Sequence, residues 1–243
     1  MKAIWIFRMT LTLFVLPAKA YSQKQDSLFA GLPEKEYLMG KFDPAGLPDF
    51  FMLLPSYCSV GEQRLRYEAA QAFVQMAIQA QTEGIFLKAV SSTRSFDRQK
   101  SIWEAKWNGT RKVEGLHLGK VKMSASAKAE LIMKYSSMPG TSRHHWGTDL
   151  DINSVDDDYF KTYGGQRVYA WLQANAAKFG FCQVYHPKQN SGRNGYEEEK
   201  WHWSYLPLAN PFTLKFKTLI SNEDISGFLG SEAAPKIQAV EKY

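Results

Sequence analysis

The sequence predicts an α+β fold, and three observations carry that expectation. Apolar residues recur at intervals of three and four over two long stretches, about 63–82 and 167–179. Short apolar runs of strand length lie at 85–91, 181–185 and 201–206. Helices and strands do not alternate regularly, and no internal repeat divides the chain. With 243 residues, 44% of them hydrophobic, the chain can bury one substantial core, or at most two small ones.

Taken in order, residues 1–20 read as a secretory signal peptide. Lys2 opens it, an apolar run at 9–16 follows, and Ala18-Lys19-Ala20 supplies a small-x-small cleavage pattern, although Arg8 interrupts the apolar region. The mature chain is therefore expected to be secreted or periplasmic. Residues 21–36 are polar and read as a flexible lead-in, leaving 37–243 as the folded domain. Between 37 and 59, Gly, Pro and aromatic residues mix, which predicts irregular packed structure. In the helix at 63–82, Ala69, Ala70, Phe73, Val74, Met76, Ala77 and Ala80 form the apolar face, and Gly84 stands where a C-terminal cap belongs. Ser95 is placed to cap a helix reaching Trp107. The Gly- and Lys-rich segment 108–123 reads as an excursion, with His117 on its surface. Residues 124–138 are expected to be helical, 148–153 extended, and Asp156-Asp157-Asp158 a solvated turn. Gly180 caps the helix at 167–179, and a short helix closes the chain at 232–243.

Composition excludes several function classes. The formal charge of +6 includes Lys2, Arg8 and Lys19 of the signal; without it, 27 bases face 24 acids. So small an excess, with no basic run, argues against a nucleic-acid partner. No apolar run beyond the N-terminus has transmembrane length, so no membrane span is expected in the mature chain. Cys58 and Cys182 are the only cysteines. In an exported protein they would form one disulfide or remain free thiols, and sequence leaves both open.

Chemistry concentrates in Ser142-Arg143-His144-His145-Trp146-Gly147-Thr148-Asp149-Leu150-Asp151 and in Glu199-Lys200-Trp201-His202-Trp203. His nitrogen and carboxylate oxygen are common zinc ligands, and a catalytic zinc takes three protein ligands plus one open position. His144, Asp151 and His202 form such a set. Glu199, three residues before His202, can reach a bound water without being a ligand. His144 and Asp151 are seven apart, so on one extended segment they would face opposite sides, and a turn at Gly147 is needed to bring them together. On residues alone, a hydrogen-bonded core histidine and a capping aspartate remain an alternative. A calcium loop beginning at Asp149 fails at its turn glycine and twelfth position, where Ser154 and Phe160 stand. A Ser142-His144-Asp149 triad lacks the spacing and the GxSxG elbow. Arg94, at a strand-to-helix junction, can point into a cleft or simply be solvated.

These segments carry a resemblance. SRHHWGTDLD resembles the SxHxxGxAxD motif of the zinc D-alanyl-D-alanine carboxypeptidases and dipeptidases of the vancomycin-resistance type, EKWHW their ExxH element, and SSTRSFDRQ their SxxRS…Q segment. The three occur in the family's order over about 85–206. The resemblance implies the small α+β zinc-peptidase fold shared with the hedgehog signalling domain, a small antiparallel sheet with flanking helices. It implies Zn2+ held by His144, Asp151 and His202, Glu199 as general base, Arg94 as clamp for a terminal carboxylate, and Ser142 and Gln99 as supporting residues. Asp149 departs from the family's usual small residue, and His145 and Trp146 are bulky beside a ligand.

The expected activity is zinc-dependent removal of the terminal D-Ala from peptidoglycan stem peptides. A peptidoglycan endopeptidase of the same fold and a zinc-containing wall-binding module are the alternatives. A pure binder has no need of Glu199. Oligomeric state leaves no trace in the sequence.

Overall fold

The computed structural model describes residues 28–191 and 195–243, so the expected signal peptide and the first part of the expected lead-in lie outside the described residues. Its centre is a four-stranded antiparallel sheet in the order β3-β4-β6-β5, made of β3 (Ala89–Ser91), β4 (Asp149–Ile152), β5 (Phe181–Gln183) and β6 (His202–Tyr205). A separate hairpin pairs β1 (Phe50–Met52) with β2 (Arg64–Arg66). The helices of eight or more residues among those described are α1 (Tyr67–Thr82), α2 (Phe96–Trp107), α3 (Ala125–Ile132), α4 (Tyr163–Asn175) and α5 (Leu206–Leu219).

Register gives the sheet two chemically distinct faces. Asp151 lies opposite His202, Leu150 opposite Trp203 and Asp149 opposite Ser204. Because side chains alternate, Asp149, Asp151, His202 and Ser204 share one face while Leu150, Ile152, Trp203 and Tyr205 share the other. The second face packs with Phe73, Met76 and Ala80 of α1 and with Val168, Trp171 and Leu172 of α4. The first face is turned toward a second core built on Tyr37, Trp103, Trp146 and Phe212. Polar groups on a fully buried sheet face must be partnered or ligated, so this patterning already marks a site.

The expected α+β class and the small antiparallel sheet are what the structure has, with differences at several elements. Helix α1 begins at Tyr67, because Arg64–Arg66 pair with Phe50–Met52 instead of joining the helix. Gly84 (φ 71°) and Gly180 (φ 81°) both take the left-handed conformation at helix ends, and Ser95 accepts a hydrogen bond from the Arg98 amide at 3.2 Å. Part of the flexible lead-in proves to be packed: Phe29 stacks edge-on against Tyr37, and the Leu28 carbonyl accepts a hydrogen bond from Arg66. The 108–123 segment is anchored by buried Val113 and Leu118 with a Val113–Leu116 bridge. The Asp156 carboxylate caps a short helix, Asp157–Lys161. The terminal helix is broken at Gln238, which has φ 54°. Cys58 and Cys182 are free thiols.

The turn at Gly147 is what allows His144 and Asp151 to converge. Residues Arg143–Trp146 form one 3₁₀ turn, and Gly147 ends it at φ 75°. A Cβ there would lie 2.5 Å from the Phe50 ring and 3.1 Å from the Arg66 amide nitrogen. Gly147→Ala therefore combines a left-handed backbone with a steric clash. It should lower unfolding free energy by about 2 kcal/mol or more, readable as a lowered midpoint in urea with an unchanged slope. An unchanged midpoint would show that Phe50 and Arg66 give way freely.

Candidate metal and peptidase site

The site is assembled from the 3₁₀ turn, β4, β6 and the loop before β6. His144, Asp151 and His202 are buried, and their ligand atoms all lie within 4.8 Å of one another. His144 Nε2 and His202 Nδ1 each stand 3.4 Å from Asp151 Oδ1. Donors held at about 2.0–2.2 Å around a tetrahedral ion are separated by roughly 3.3–3.6 Å, so the spacing fits zinc. Asp151 Oδ1 is buried without a hydrogen-bond partner among the described residues. An orphaned carboxylate oxygen at this depth is costly unless a cation sits beside it.

The outward nitrogens of both histidines are tied down in the way metal-ligating imidazoles require. His144 Nδ1 faces the Ser92 carbonyl at 2.8 Å, which leaves Nε2 free to ligate. His202 Nε2 faces Asp149 Oδ1 at 2.9 Å, which leaves Nδ1 for the same role. Asp149 in turn accepts from Arg143 Nε at 3.0 Å, Thr148 Oγ1 at 2.5 Å and Ser204 Oγ at 3.1 Å. Burial works against its charge, but Arg143 and His202 hold its carboxyl below the usual range. Burial likewise opposes a charge on His202, yet the Asp149 and Asp151 carboxylates beside it push it up to about 9. The Asp151 carboxylate, which would favour a proton at Nδ1, would favour a metal ion there equally. Burial and the nearby Arg94 charge lower His144.

Glu199 Oε2 lies 3.6 Å from His202 Nδ1, at the edge of the ligand set. Its amide donates to the Tyr185 carbonyl, and its own carbonyl accepts from Gln183 Nε2 at 3.2 Å, so the backbone is fixed. Burial pushes its carboxyl up to about 7, a value suited to taking and returning a proton near neutrality. A cavity of about 340 Å³ opens beside it, lined by Arg94, His144, Asp151, Tyr185, Glu199 and His202 among others. Arg94 is held by its backbone from two sides. Its amide donates to the His144 carbonyl at 3.0 Å, and its carbonyl accepts from His145 Nδ1 at 2.7 Å. The His145 Nε2 accepts from the Gly140 amide at 3.1 Å, which makes this imidazole a neutral brace rather than a ligand.

Comparison with known proteins gives the family. The family model for VanY-type D-alanyl-D-alanine carboxypeptidases matches residues 62–208, more than half of the chain. The chain belongs to the D-alanyl-D-alanine carboxypeptidase family. It is 32% identical over 129 residues to a D-alanyl-D-alanine carboxypeptidase of Enterococcus faecalis, covering 53% of this chain and 43% of that protein. It is 30% identical over 188 residues to YodJ of Bacillus subtilis, whose carboxypeptidase designation is itself provisional, covering 76% of this chain and 62% of that one. The chain thus spans less than two thirds of the length of either relative. Solved structures that align include an LD-carboxypeptidase, LdcB (TM-score 0.49, 24% identity, 82% of this chain and 81% of that one). Another is VanYB in complex with D-Ala-D-Ala (TM-score 0.46, 25% identity, 63% of this chain and 79% of that one).

Two residues expected to support the family's cleft stand behind this one. The buried Gln99 donates to the Ser137 carbonyl at 2.7 Å, so it braces the cavity wall at Ser137 without lining the cavity itself. Ser142 is also buried and off the cavity; its carbonyl accepts the His145 amide, and its hydroxyl has no partner among the described residues. His117 packs against the Gly109 carbonyl, away from the cavity. Sequence reasoning missed Lys106, Arg111, Tyr185 and Tyr196 as lining residues. They come from separate segments, and only the Lys106 position on α2, three turns from Arg94, carried any hint.

Proposed function

We propose that this carboxypeptidase-family chain binds zinc and removes the terminal D-Ala from peptidoglycan stem peptides, acting outside the cytoplasm after loss of residues 1–20. The observation that supports this most is the meeting, at one cavity, of a three-ligand set with Glu199 and Arg94. A zinc ion held by His144, Asp151 and His202 would supply a water acidified toward neutral pH and would polarise the scissile carbonyl.

The protein's own residues do the rest. Glu199 takes a proton on its carboxylate and returns it to the departing amine of D-Ala. Arg94 presents a planar fork of donors, able to grip the substrate's terminal carboxylate through two parallel hydrogen bonds. That grip sets the last peptide bond, rather than an internal one, beside Glu199. Asp149 keeps His202 in the tautomer that points Nδ1 at the metal. The products of hydrolysis are free D-Ala and a peptide one residue shorter.

The test is D-Ala release from a synthetic pentapeptide ending in D-Ala-D-Ala, with and without a chelator and against its C-terminal amide. Chelator-sensitive release of one D-Ala per peptide is the expected result, with the amide cleaved at least about tenfold more slowly. A zinc-loaded protein that leaves the pentapeptide intact would overturn the reading.

A further inference from the structure

Arg94 is not the only cation on the cavity wall. Lys106, near the end of α2, and Arg111, just beyond it, line the same cavity. Among the described residues, none of the three has a carboxylate within 4 Å of its side-chain nitrogens, although Asp151 and Glu199 also line the cavity. Arg94 feels the charges of Asp151 and Glu199; Lys106 feels those of Arg111, Arg94 and Glu199. Burial pulls the Lys106 ammonium down to about 8, against the partial support of Glu199. Cations in a partly buried cleft with no carboxylate in direct contact are left poorly compensated, and an anionic occupant relieves that cost. One terminal carboxylate, gripped by Arg94, accounts for only one of them.

We propose that Lys106 and Arg111 form a second carboxylate subsite, which selects stem peptides carrying an acidic side chain two residues before the terminal one. The inference rests on the carboxypeptidase reading and specifies its substrate class. With Arg94 on the terminal carboxylate and the scissile bond beside Glu199, the peptide's upstream part leaves the metal along the wall that holds Lys106 and then Arg111. A third residue that is a diamino-dicarboxylic acid places a free side-chain carboxylate there. A lysine at the same position keeps the amine but offers Lys106 and Arg111 no carboxylate, so it forfeits the charge-assisted contact. Asp156 and Asp157 also border the cavity, where they can receive the amine carried by the same side chain.

The experiment compares three pentapeptides ending in D-Ala-D-Ala that differ only at the third residue: meso-diaminopimelate, its side-chain amide, and L-lysine. Wild-type protein should favour the free diacid by about tenfold or more in kcat/KM, mainly through KM, as expected for one charge-assisted contact. Lys106→Met and Arg111→Gln should each cut that preference, and Lys106→Arg should retain it. Arg111 is exposed, so its variant also serves if Lys106→Met fails to fold. Equal kcat/KM for the three peptides would sink the subsite, as would a Lys106→Met loss that falls equally on all three, which would assign Lys106 to the terminal clamp. If no peptide is cleaved, the carboxypeptidase reading fails separately. Calorimetric binding of the same peptides to Glu199→Ala protein then decides the subsite without turnover: tighter binding of the diacid supports it, and equal binding refutes it.

Discussion

Replacing Glu199 with alanine should abolish nearly all turnover while leaving the metal in place. A positioned general acid–base typically contributes about 10²–10⁴-fold in rate, and D-Ala release should fall by that amount. Metal retention follows from the geometry. Asp151 Oδ1 lies 3.4 Å from both histidine donors, whereas Glu199 stands outside the trio at 3.6 Å from His202 Nδ1. Folding should also survive, because the Glu199 segment is held by main-chain contacts with Tyr185 and Gln183 that alanine keeps. The measurement pairs D-Ala release with zinc content per chain. Zinc lost along with activity would make Glu199 a ligand. A rate within a few-fold of wild type would remove it from the chemistry.

The ligand set was legible in the sequence because it depends on residue type and on alternation along two short strands. Asp151 and His202 face each other across β4 and β6, a register that any antiparallel pairing of the two apolar runs makes possible. The role of Asp149 was open at that level. Whether it meets His202 or solvent depends on which strand neighbours β4, and sequence does not state strand order. Helix α5 went unread because Pro207 and Pro211 look like breakers. Pro207 sits in the first turn, where a missing amide costs nothing, and Pro211 follows within the same segment. The cavity wall was least legible. Lys106 and Arg111, Tyr185 and Tyr196 meet only after the sheet and α2 have packed, and no local pattern distinguishes such cations from solvated ones. Gln99 and Ser142 show the converse: family-like positions in sequence that here stand one layer behind the cavity.

Asp149 is one of the positions at which this chain departs from the motif it resembles, and substituting it should damage both metal affinity and the fold. Its carboxylate is fully buried and receives Arg143, Thr148, Ser204 and His202 together. Arg143 is itself tied to Ser204 and Thr213 and stacks over Trp146, with its guanidinium 4.9 Å from the ring centroid. Asp149→Ala removes the anion from this cluster and leaves a largely buried guanidinium unpaired, a change that costs about 3–5 kcal/mol. Asp149→Asn keeps the shape and an acceptor for the His202 Nε2 proton but removes the charge. Arg143 loses its anion here too, so stability should still fall, though less than with alanine, and zinc binding should weaken by roughly 10–100-fold, the usual effect of losing an oriented partner behind a ligating imidazole. Unfolding in the presence of chelator reads the structural effect alone. Competition for zinc against a chromophoric chelator, well below the unfolding temperature, reads the metal effect. If both variants bound zinc as tightly as wild type, Asp149 would be a clasp for Arg143 and nothing more. If Asn weakened zinc while keeping more chelator-treated stability than alanine, the carboxylate would have replaced the family's small residue as an orienting partner for His202.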